Sequence, residues 1–169
     1  MDMNNNDILI RLRYALNIKD EEMVEIFKLG DIDVSLDDVT RLLKKTNEFY
    51  EDEIDEDAIY CDNFMLESFL NGLIIYKRGR QEPKPGQPAK APMMMKNARS
   101  VNNVLLKKVK IALALTSDDV MDILEEVGVI VSKGELTAIF RKEGHKHYME
   151  CGDRYARNFL KGLALRYRD

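Results

Sequence analysis

A chain of 169 residues with 45% apolar and 33% charged residues, no Trp and only four Pro has the composition of a soluble helical protein, which excludes a fibrous or intrinsically disordered one. No apolar segment approaches the ~18 residues that a membrane span needs. The net charge of -4 conceals an asymmetry: Asn5 to Tyr76 carries 7 basic and 18 acidic residues, Val101 to Asp169 carries 12 and 10, and Lys77 to Ser100 between them carries 7 against Glu82 alone. Any polyanion should therefore meet the second half and the connector, not the first half.

Met1 to Asp7 lacks the basic and then apolar layout of an export signal, so a cytoplasmic location without membrane contact is expected. From Asn5 the chain follows a pattern that it later repeats. Asn5, Asn6, Ala15, Leu16, Ile26, Val34, Ser35, Thr40 and Lys45 return, without a gap, as Asn102, Asn103, Ala112, Leu113, Ile123, Val131, Ser132, Thr137 and Lys142, a constant shift of 97. After a break Cys61, Phe69, Leu70, Gly72 and Leu73 return as Cys151, Phe159, Leu160, Gly162 and Leu163, a shift of 90.

In each copy the apolar residues recur at helical spacing. The first helix is expected from about Asn6 to Asn17 and from Asn103 to Leu115, with each leading Asn as N-cap. The second begins at Asp20 and Ser117, each a capping residue followed by two acids that suit the positive end of the helix dipole, and leaves at Gly30 and Gly128. The third carries a capping box, Ser35 with Asp38 and Ser132 with Glu135, the Asp being the shorter and poorer match. Val34 with Val39 and Val131 with Leu136 suit the hydrophobic staple.

Glu48 to Asp57, with seven acids in ten residues, reads as a solvated loop. A fourth helix follows from Asp62 to Tyr76 and from Asp153 to Tyr167, with Gly72 and Gly162 inside it. Glycine there costs about 1 kcal/mol relative to Ala, so its recurrence needs a close helix crossing, expected between the two fourth helices or with the first helix of the same unit. All four prolines lie in the connector, which reads as irregular and mobile. The organisation expected is thus all-α: two homologous four-helix units in a pseudo-symmetric tandem repeat, 1–76 and 101–169, joined by a basic linker, 77–100. The two units are expected to pack, because each is small and has a broad apolar complement to bury.

The chemistry candidates lie where the copies differ. Arg141, Lys142, His145, Lys146 and His147, continued by Arg154 and Arg157, could converge on a phosphate or an acidic peptide: Arg supplies a planar fork, Lys a point charge and the helix N-terminus free amides. The plainer reading is a solvated basic face paired to Glu143, Glu150 and Asp153. His145, His147 and Cys151 include zinc-binding donor types, but no second Cys or His motif lies near, so no metal or other cofactor is expected. Cys61 and Cys151 occupy equivalent places and read as packing residues; no disulfide and no Cys and His nucleophile pair is expected. The second and third helices form a helix-turn-helix only loosely, since the turn from Gly30 to Ser35 is longer than usual and Asp37 and Asp38 open the would-be reading helix.

Asn5-Asn6-Asp7-Ile8-Leu9, Arg11-Leu12-Arg13-Tyr14-Ala15-Leu16 and the Cys151 to Leu163 segment, with Arg157-Asn158-Phe159-Leu160 and Gly162-Leu163, resemble the YehS-like family of small bacterial cytoplasmic proteins. The resemblance covers both repeats and implies a duplicated helical domain, but no activity and no catalytic residue. The functional expectation is a non-enzymatic binding or regulatory module that recognises a protein partner through the basic surface of the second repeat. Nucleic-acid binding by that surface and the linker is the alternative, and a metal-dependent hydrolase ranks last.

Overall fold

The computed structural model describes residues 3–45, 57–80, 82–87 and 92–168. Among them are eight α-helices and no strand: α1 Asn5–Ala15, α2 Asp20–Leu29, α3 Leu36–Leu42 and α4 Asn63–Arg78, then α5 Val101–Ala112, α6 Ser117–Glu126, α7 Lys133–Phe140 and α8 Asp153–Tyr167. Within each unit the second helix packs on both the third and the fourth. Between units α4 packs on α5, and α1 on α8. Exchanging the units turns one of these seams into the other, so the molecule has two pseudo-equivalent seams around one core shared by both copies. The acidic stretch Glu48 to Asp57 lies outside the described residues except for Asp57, whose carbonyl accepts from Arg41 Nε at 2.7 Å.

The capping boxes of the third helices form as the sequence implies. Ser35 Oγ accepts from the Asp38 amide at 3.0 Å and Ser132 Oγ from the Glu135 amide at 3.0 Å. The return bonds reverse the expectation about length: Asp38 meets the Ser35 amide at 2.9 Å, whereas Glu135 meets the Ser132 amide at 3.5 Å. The second helices start one residue after their real caps, Lys19 and Thr116. Thr116 Oγ1 takes the Asp119 amide at 3.1 Å, while Asp20, already helical, pairs with Arg13 at 2.9 Å.

The leading asparagines are not N-caps. Asn4 caps α1, its side chain accepting from the Asp7 amide at 2.8 Å. Asn6 lies one residue inside the helix and is buried. Its Nδ2 donates to the carbonyls of Leu42 at 2.9 Å and Ile59 at 2.7 Å, and its Oδ1 accepts from the Cys61 amide at 2.9 Å. Asn103 repeats the arrangement with Ile139 at 3.0 Å, Met149 at 2.8 Å and Cys151 at 2.8 Å. One amide side chain thus satisfies three backbone groups of the chain leaving the third helix and entering the fourth, groups that would otherwise be buried without partners. This accounts for the recurrence of the Asn, whose partners are all backbone groups.

Each fourth helix crosses the second helix of its own unit, not the first helix or its own counterpart. A Cβ on Gly72 would lie 1.9 Å from the Ile26 carbonyl oxygen, and one on Gly30 would lie 1.9 Å from that of Ser68. Two glycines therefore let α2 and α4 touch backbone to backbone. In the second unit Gly162 lies over Ile123, whose carbonyl oxygen would be 2.6 Å from an added Cβ. Gly30 and Gly128 are not equivalent: at the shift of 97 Gly30, with φ -89, corresponds to Val127, and Gly128, with φ +83 and open space around it, corresponds to Asp31, whose φ is +68.

The end of the connector is held, where the sequence implies an irregular and mobile segment. The Met94 and Met95 amides donate to Glu67 of α4 at 2.6 and 2.7 Å, and Asn97 caps a 3-10 turn, Ala98–Ser100, that leads into α5. Glu67 is fully buried and also meets Lys108 of α5, itself 4% exposed, at 3.0 Å. Lys108 donates in addition to Asn71 Oδ1. Burial pulls the Lys108 ammonium below its ordinary pKa, and Glu67 opposes that pull. The α4–α5 seam is therefore closed by an ion pair that also pins the connector.

Candidate functional site

The basic segment of the second unit begins where α7 ends. Arg141 turns extended at the helix exit, and a tight turn follows in which the His145 amide donates to the Lys142 carbonyl at 3.0 Å and Gly144 takes φ +97. The Met149 amide returns to the Ala138 carbonyl at 3.1 Å, so the segment lies against the end of α7. His145 Nδ1 accepts from the His147 amide at 3.0 Å and lies 3.4 Å from Arg141 Nη1. The two rings are 5.7 Å apart and both side chains are exposed.

Arg141 and Lys142 border a cavity of about 270 Å³ between this segment, α5 and the pinned connector. Its walls are apolar, with Met93, Met94, Val104 and Ile139 among them, and Lys96 and Lys107 join the two predicted cations at its rim. Glu143 also borders it: one carboxylate oxygen accepts from Asn97 Nδ2 at 3.1 Å, while the other is buried without a hydrogen-bond partner among the described residues. The sequence offered no reason to join Lys96 or Lys107 to this segment, because connector and α5 come to it only through the tertiary fold.

The remaining predicted residues do not join this cavity. Arg154 is exposed on the first turn of α8, and Arg157 lines a different cleft at the α1–α8 seam, so the two cavities share no lining residue. Seven residues that the sequence groups together thus serve at least two surfaces. Among the described residues no group of three or more His, Cys, Asp or Glu side chains is placed to hold a metal ion.

The thiols belong to the core. Cys61 and Cys151 are free and buried, and burial first, with neighbouring acids second, pushes both up to about 12. Their thiols point to the next carbonyls, Asp62 and Gly152, at 3.7 Å each. A protonated buried thiol is a poor nucleophile. We expect neither cysteine to react with a thiol reagent in the native protein at about pH 8, and both to react in denaturant, as counted by mass spectrometry.

Two copies of one four-helix unit, closed around a shared core, define the class: a tandem-duplicated all-α protein. The chain belongs to the family described as "Protein of unknown function (DUF1456)", whose sequence model matches residues 5–79 and 102–169, one match per unit. It is 40% identical to "Uncharacterized protein YehS" of Escherichia coli (strain K12) over 164 residues, which cover 97% of this chain and 96% of that protein. No solved structure matches. No helix among the described residues is long and apolar enough to cross a membrane.

Proposed function

We propose that the protein is a non-enzymatic binding module of the cytoplasm, whose second repeat takes an acidic segment of a protein partner at the cavity beside Arg141 and Lys142. The observation that supports this reading is the combination of apolar walls with a rim of Lys96, Lys107, Arg141 and Lys142. An apolar side chain of the partner would enter, acidic neighbours would meet the rim, and a partner amide would meet the buried Glu143 oxygen, much as Glu67 takes two amides of the connector. Lys146 extends the positive surface outward, and Arg154 adds a further exposed charge on α8.

The test is a pull-down from bacterial lysate with the full chain and with an Arg141→Glu, Lys142→Glu variant. The proposal expects a protein partner retained by the native chain and lost by the variant. Recovery of nucleic acid alone, with steep loss of binding as salt rises, would replace it with the nucleic-acid alternative.

A further inference from the structure

The two seams are related by the repeat, yet their chemistry is inverted. The closed α4–α5 seam is built from Glu67, Asn71 and Lys108, with Lys108 meeting both of the others. Applying the repeat shifts, the same three positions at the α1–α8 seam are Arg157, Lys161 and Arg11. An acid, an amide and a base have become three bases. Where the first seam is filled by its own ion pair and covered by the connector, the second is a cleft of about 500 Å³ lined by those three cations together with Ile10, Leu160 and Ala164.

We propose that the α1–α8 cleft binds a small organic phosphate, a phosphate monoester on an apolar or aromatic body. No acidic residue lines the cleft among the described residues, and Arg11 and Lys161 are exposed at it. A dianionic phosphate matches these two cations more closely than a single carboxylate does, and the planar fork of Arg suits its oxygens. Arg11 and Lys161 meet the phosphate, while Arg157, half-buried and engaged within the protein, forms part of the wall. The apolar side chains and the volume suit a small molecule's body rather than a bare ion. Arg168, bonded to the Tyr14 carbonyl at 3.0 Å and stacked 4.0 Å over the Tyr14 ring, fixes that ring at the rim of the cleft. This site shares no residue with the cavity beside Arg141, so either can fail without the other.

The experiment is calorimetric titration of the full chain at low salt with phenyl phosphate, inorganic phosphate and benzoate. Phenyl phosphate should bind saturably at one site, about tenfold or more tighter than either of the others. An Arg11→Glu, Lys161→Glu variant, altered only at exposed positions and checked for native helicity, should lose about tenfold or more in affinity, while Arg141→Glu should leave binding unchanged. Absence of saturable phenyl phosphate binding would overturn the proposal. Equal binding of benzoate would overturn the phosphate assignment, and binding that survives Arg11→Glu, Lys161→Glu would overturn the location.

Discussion

Gly72→Ala is expected to destabilise the protein by about 3 kcal/mol, the upper part of the range for forcing an added methyl into a packed interface. Helix propensity alone gives the opposite sign, since Ala in a helix interior is favoured over Gly by about 1 kcal/mol. The overlap decides the outcome. The new Cβ would lie 1.9 Å from the Ile26 oxygen, 2.9 Å from the Gly30 nitrogen and 3.0 Å from the Ile26 carbonyl carbon, all of them backbone atoms that no rotamer change can move aside. Relief requires α2 and α4 to separate, which would loosen the Phe27 and Phe69 rings now packed at 4.8 Å between centroids. Urea unfolding should show a lowered midpoint with an unchanged slope. Gly128→Ala, strained only by its φ of +83, should lose about 1 kcal/mol. A Gly72→Ala protein as stable as the native one would refute the close crossing.

Glu67→Ala should be the second severe change, at about 3 to 5 kcal/mol, because it leaves the Lys108 ammonium buried with only Asn71 as partner and strips the Met94 and Met95 amides of their acceptor. Lys108→Ala should be damaging for the converse reason, an unpaired buried carboxylate. Replacing both with Met should recover only the part of the loss that comes from the unpaired charge, since the Met94 and Met95 amides still lack their acceptor. A double-mutant cycle measures the coupling directly. Single-variant losses below about 1 kcal/mol, the scale of exposed ion pairs, would show that this pair does not close the seam.

The parts of the fold legible in the sequence are those written locally and twice. The boxes at Ser35 and Ser132 are complete within four residues, so the starts of α3 and α7 were readable without any knowledge of what packs on them. Asn6 and Asn103 read as caps in the sequence because a helix-start Asn looks the same whether its side chain turns back to cap or inward to chain more than thirty residues away. Gly72 and Gly162 announced a close crossing but not its partner, since a missing side chain carries no record of what approaches it.

The candidate site shows the same division. Arg141 and Lys142 were found because they stand in a basic run, and they do border a cavity. Arg157 stands in the same run but turns into the other seam, because helical geometry, not sequence proximity, sets its direction. Glu67, Asn71 and Lys108 gave no signal, since their meaning depends on two helices from different copies being adjacent. Once that adjacency is known, the repeat that described only a scaffold also identifies where the scaffold's symmetry is broken, at Arg11, Arg157 and Lys161.

The two copies form one body around a shared core, with seams α4–α5 and α1–α8. Calorimetric unfolding of the full chain tests this directly. One cooperative transition, with calorimetric and van't Hoff enthalpies equal, is the result expected of a single body. Two resolved transitions, each with the enthalpy of one repeat, would contradict it.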